Sequence, residues 1–149
     1  MTLVATADRV RDTLSQVVDR RGITLQQYNV LRILRGAGAA GLPTLDIASR
    51  MIDKSPGITR LLDRLEARGL VRRLRCPKDR RQVLCRATAE ATRLLTDLDA
   101  PMAEGARKLL APLGGARTLA LIGLLDEIRS AAASSTRQPS KSEPTHAQS

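Results

Sequence analysis

The chain has 149 residues and a formal net charge of +10; 42% of it is apolar, yet it has one tyrosine and no phenylalanine or tryptophan. That length and composition suit one folded domain with an aliphatic core of Leu, Ile, Val and Ala, and the abundance of Leu and Ala favours helix. The single histidine, His146, lies in a polar tail, which excludes a histidine-based triad or zinc cluster, and no phosphate-binding glycine motif appears.

Residues 3–20 set Leu3, Val10, Leu14, Val17 and Val18 on one side of a first helix, and Gly22 ends it. A second helix spans 23–37, capped by Thr24, with Tyr28, Leu31, Ile33 and Leu34 on its apolar side. Tyr28 at this spacing is a core residue. "RGAGAAGLP" (35–43) reads as a flexible helix-to-helix connection. A short third helix follows at 42–52, with Thr44 as cap and Leu45, Ala48 and Ile52 inward.

The fourth helix, 56–68, carries the compact stripe Ile58, Leu61, Leu62 and Leu65. Arg60 points away from that stripe, with Pro56, Thr59 and Asp63 nearby. Ser55 before Pro56 fits a cap with proline at the first helical position; Asp53 is the alternative cap, and Gly69 a stop. Runs 70–75 and 82–87 flank a turn at 76–81 and predict a β-hairpin whose tip crowds Lys78, Arg80 and Arg81. Helix returns from 88, with Pro101 and Gly105 as points of bending or division. A last helix, 114–134, has a wide apolar side including Leu119, Ile122, Leu125 and Ile128. Residues 135–149 form a polar tail expected to be disordered.

The charge is concentrated. Residues 50–86 hold a net +8, residues 1–49 a net +2 and residues 87–149 none. Such a segment suits a polyanion better than a neutral partner. No stretch approaches the roughly 18 apolar residues of a membrane span. Residues 1–21 lack the apolar core of a signal peptide, so two cysteines and a cytoplasmic location are expected to go together.

Three short helices followed by a hairpin make a winged helix-turn-helix. "ITLQQYNVLRIL", "SPGITRLLDRLEARGLVRR" and above all "PKDRRQVLCRAT" resemble the MarR (multiple antibiotic resistance regulator) family of bacterial transcription factors. The resemblance implies a mainly α fold: a winged helix-turn-helix with a two-stranded β wing, flanked by N- and C-terminal dimerisation helices. It implies a single domain over 1–134, a DNA-binding core at 23–88, dimerisation helices at 1–22 and 89–134, and the tail at 135–149. The expected function is a ligand-responsive repressor, a homodimer on a pseudo-palindromic double-stranded DNA operator, with a small-molecule effector, no cofactor, no metal, no membrane and no enzymatic activity.

The expected DNA contacts are Thr44, Lys54, Ser55, Thr59, Arg60 and Arg64 from the helices, and Arg75, Lys78, Arg80 and Arg81 from the wing. By resemblance Arg81 enters the minor groove and Asp79 organises it. Leu121, Leu124 and Leu125 lie in the most apolar part of the last helix and are expected at the dimer interface. Two departures from the family pattern stand out. Pro56 and Gly57 occupy the start of the recognition helix, and the wing ends in Ala87, Thr88 and Ala91. Two other readings remain open: a winged-helix protein-interaction module without specific DNA binding, or a redox-sensing regulator using Cys76 and Cys85, which flank the wing turn.

Overall fold

The computed structural model describes residues 1–51, 57–77, 79 and 81–135. In chain order the elements are α1 (Thr2–Asp19), α2 (Leu25–Ala37), a 3-10 turn (Gly38–Ala40), β1 (Leu42–Pro43), α3 (Thr44–Arg50), α4 (Ile58–Ala67), β2 (Val71–Arg75), β3 (Val83–Ala87), α5 (Ala89–Leu110), a second 3-10 turn (Ala111–Leu113) and α6 (Gly114–Ser135). They fall into two compact units, Met1–Leu109 and Leu110 onward. The arrangement is mainly helical with a small antiparallel sheet, the winged helix the sequence predicts.

The first unit has one aliphatic core. Val30, Leu31, Ile47, Leu62, Leu65, Cys85, Ala91 and Leu95 are fully buried, joined by Val18, Leu34, Val71 and Leu98. Each large aliphatic side chain so buried contributes on the order of 1.5–3 kcal/mol. Tyr28 is buried in the same cluster, as expected. The α2 start is a full capping box: the Gln27 amide donates to Thr24 Oγ1 (3.2 Å), and the Thr24 amide donates to Gln27 Oε1 (3.0 Å). Arg35 then ties α2 to α5 through two bonds to the Asp99 carboxylate (2.9 and 3.0 Å). Those bonds hold the Asp99 carboxyl below its usual range, against a smaller opposing effect of burial.

Several expectations are corrected. The third helix begins only at Thr44, and Pro43, not Thr44, occupies its N-cap. Leu42 and Pro43 instead form β1, opposite Cys85 and Leu84 of β3, so the hairpin gains a third strand. Leu45 is 81% exposed and Ile47 takes the inward place. "RGAGAAGLP" follows a defined path: Gly36 ends inside α2, Gly38 opens the 3-10 turn, and Gly41 at φ +69° leads into β1. A Cβ on Gly41 would stand 2.7 Å from the Cys85 carbonyl oxygen, so only glycine lets β1 pair here.

Pro101 and Gly105 do not divide α5, which runs unbroken for 22 residues. Pro101 is exposed, while Leu95, Leu98 and Gly105 are buried and hold the helix on both sides of the missing amide. Gly105 is where α1 rests on α5: a Cβ there would sit 3.5 Å from both Leu14 and Val17 side chains. Of the α1 stripe, Val18 is buried and Leu14 and Val17 half-buried, but Leu3 and Val10 are exposed.

The second unit is α6 with its preceding turn. Leu119, Ile122, Leu124, Leu125 and Ile128 are all exposed, and Leu121 is half-buried. The expectation that no stretch approaches a membrane span also needs correction: residues 89–131 include one long and apolar enough by length and composition. Counting unbroken apolar runs missed it, because glycines and isolated polar residues interrupt the apolar side chains. Ile52, the alternative cap Asp53, the expected cap Ser55 with Pro56, and the tail beyond Ser135 lie outside the described residues.

Candidate nucleic-acid interface

The exposed side of α4 is set by its buried stripe. Leu62 and Leu65 are fully buried, with Ile58 and Leu61 half-buried beside them. At 3.6 residues per turn, Arg60 and Arg64 then fall on the opposite face, one turn apart. Both are exposed, as is Thr59. Among the described residues neither arginine has a carboxylate partner. Lys54 and Ser55 lie outside the described residues. Thr44 is half-buried as the first residue of α3.

α4 begins at Ile58, two residues after the expected position, with Gly57 as N-cap at φ +146°. Glycine here does not weaken the helix, because it stands outside it and supplies a conformation that L-residues rarely adopt. Space around it is open, so Gly57→Ala would suffer from backbone strain alone. We expect a loss of about 1–3 kcal/mol in stability, read as a lower urea midpoint with an unchanged slope. An unchanged midpoint would show that α4 can begin without the positive φ.

The wing is β2 paired with β3 in the register Val71↔Ala87, Arg73↔Cys85 and Arg75↔Val83. Its turn closes by the Cys76 amide donating to the Gln82 carbonyl (2.8 Å) and the Gln82 amide donating to the Asp79 carbonyl (3.0 Å). Asp79 Oδ1 accepts from the backbone amide of Arg81 (3.0 Å). Asp79 therefore shapes the turn through the Arg81 main chain, leaving the Arg81 guanidinium to extend outward. Arg75, Asp79 and Arg81 are exposed; Lys78 and Arg80 lie outside the described residues.

Cys76 and Cys85 are not neighbours. Cys85 is fully buried and stands opposite Arg73, three residues from Cys76 along β2. At about 3.3 Å per residue the offset is roughly 10 Å, beyond the roughly 7 Å between Cα atoms that a disulfide spans. The two residues also project to opposite faces of the hairpin, since side chains alternate along a strand. Both are free thiols.

Sequence reasoning missed the residue that joins helix to wing. Arg73 of β2 reaches α4, bonding Asp63 Oδ1 (2.7 Å) and Glu66 Oε2 (2.6 Å). Its Nη2 also donates to the Thr59 carbonyl at 3.5 Å, and Glu66 Oε1 accepts from the Arg73 amide at 3.1 Å. Burial works against the charged guanidinium, but the two carboxylates outweigh it and raise its pKa. Arg68, just past α4, donates to the Gly22 carbonyl and fixes the other end of the helix to the α1–α2 turn. The only advance signal for the clamp was the Asp63-x-x-Glu66 spacing, which puts two carboxylates on one flank of α4.

A sequence-family model of the MarR family matches residues 23–83. The homoprotocatechuate degradative operon repressor of Escherichia coli is 31% identical over 111 residues, 74% of each chain. The crystal structure of a MarR transcription factor from Planctomyces limnophilus is 38% identical, with a TM-score of 0.65 over 83% of this chain and 90% of that one. A structure of Bordetella bronchiseptica BpsR, a protein whose DNA binding is regulated by 6-hydroxynicotinic acid, is 26% identical, with a TM-score of 0.75 over 86% of this chain and 90% of that one.

Proposed function

The chain belongs to the MarR family of transcription regulators, and from that premise we propose that it is a homodimeric repressor gripping a pseudo-palindromic operator with two α4 helices and two wings. The observation that carries this reading is the pair of exposed arginine groups on elements clamped to each other. Arg60 and Arg64 project from α4, Arg75 and Arg81 from the wing, and Arg73 locks the two together. In this arrangement Arg60 and Thr59 read base edges, Arg64 and Arg75 hold phosphates, and Arg81 enters the minor groove. Lys54, Ser55, Thr44, Lys78 and Arg80 supply further contacts.

The second copy is the occupant proposed for the exposed apolar surface of α6. A bilayer suits that helix poorly, because Arg117, Asp126, Glu127 and Arg129 all lie on it. The protein thus works in the cytoplasm on DNA. The regulated relative BpsR supports response to a small-molecule effector. A cysteine switch by a bond between Cys76 and Cys85 is disfavoured by their offset in the wing. MarR-family relatives are regulators, not enzymes.

A salt titration separates this reading from a protein-interaction module. With around 6–10 phosphates neutralised by two subunits, affinity should fall roughly 10³–10⁵-fold between about 50 and 200 mM salt. A flat response would sink the DNA reading and favour a protein partner.

A further inference from the structure

The end of α4 closes in a Schellman turn. The Gly69 amide donates to the Glu66 carbonyl and the Leu70 amide to the Leu65 carbonyl, both at 2.9 Å, with Gly69 at φ +70°. The carbonyls of Gly69 and Leu70 take no part in that turn, and one residue binds both. Thr88 Oγ1 donates to the Gly69 carbonyl (2.8 Å), and the Thr88 amide donates to the Leu70 carbonyl (3.1 Å). The same Oγ1 accepts from the Ala91 amide (3.2 Å), which makes Thr88 the N-cap of α5. The Thr88 carbonyl accepts from the Thr92 amide (3.0 Å). The C-terminal turn of the recognition helix is thus bonded directly to the first turn of α5, with Leu70 and Ala91 buried beside the joint.

We propose that Thr88 is a positioning residue: it fixes the direction of α4 relative to α5, and so the separation of the two recognition helices on the operator. The inference rests on the dimeric DNA reading. α5 runs unbroken for 22 residues from this joint and leads in the chain to α6, the surface proposed to meet the second copy. Constraints from the dimer therefore reach α4 by way of α5. Arg73 sets α4 against the wing; Thr88 sets it against α5. A residue that only capped α5 would need only an acceptor, and aspartate would serve as well. The bond to Gly69 needs a donor, which an ionised carboxylate lacks.

That difference supplies the test. Thr88→Asp keeps the acceptor for Ala91 and removes the donor to Gly69; Thr88→Ser keeps both. In amide exchange on the free full-length protein, the Thr88→Asp variant should protect Ala91 as the wild type does. The amide of residue 88 should exchange about tenfold faster, as expected for a loosened hydrogen-bonded joint. Gel shifts then use the duplex that the wild-type protein selects from a random pool, and the same duplex with two base pairs inserted at its centre. The wild type and Thr88→Ser should discriminate sharply against the insertion. Thr88→Asp should lose about tenfold of that discrimination, while its preference among base pairs within a half-site stays unchanged. The added negative charge weakens both duplexes alike and drops out of the ratio. An Asp variant with unchanged exchange at residue 88, or with full spacing discrimination, would show that Thr88 only caps α5. Loss of half-site preference as well would show damage to the winged unit and overturn the positioning role. A wild-type protein indifferent to the insertion would overturn the dimeric reading itself, and the inference with it.

Discussion

Leu125→Glu should convert the proposed dimer into monomers and abolish tight operator binding. Leu125 is 43% exposed in the single chain, among Leu124, Ile122 and Ile128, which are exposed more. A symmetric interface would bury the new carboxylate twice, each time without a counter-charge. An uncompensated buried charge costs about 3–5 kcal/mol, and two of them exceed what a modest helical interface can absorb. The core of residues 1–109 is complete without α6, so the monomer should stay folded. It would hold only one half-site, losing the fixed spacing of about 34–36 Å between recognition helices. Sizing chromatography and gel shift together check this. A variant that remains dimeric and binds normally would show that the subunits meet through another surface.

Elements with strong, long periodic patterns were legible in the sequence. The α4 stripe fixed which side of that helix is buried, and therefore that Arg60 faces outward. Thr24 marked the start of α2, and the 70–75 and 82–87 runs located the wing to within a residue. Short or context-dependent features were not legible. β1 has only two residues, too few for any period, and exists because Gly41 lets the chain approach β3. Over seven residues α3 offers no clear stripe, so Leu45 was expected inward while Ile47, which is buried, was passed over. Pro101 is an ordinary helix breaker by local rules, but buried contacts on either side override it. The Arg73 clamp was hidden because among many arginines nothing local distinguishes one that folds back on two carboxylates from one that meets solvent.

That clamp gives the second large effect. Arg73→Ala should weaken operator binding about tenfold per half-site, or roughly a hundredfold for the dimer. The figure follows from the several kcal/mol lost when a bonded charge loses its partner, discounted because Asp63 and Glu66 are partly exposed. Two things happen at once. The carboxylates of Asp63 and Glu66 become bare beside the face of α4 proposed to meet phosphates. The helix also loses its tie to β2, so Arg60 and Arg81 are no longer held in one geometry. The contributions separate in a triple variant, with Asp63→Asn and Glu66→Gln added to Arg73→Ala. Removing the bare charges should restore affinity for random DNA and the normal salt slope. Preference for the operator over random DNA should stay reduced, because positioning is still lost. Gel shifts on both DNAs, with urea unfolding to confirm that the fold survives, make the comparison. An Arg73→Ala protein with full affinity and full preference would show that α4 and the wing hold their relative orientation without the arginine between them.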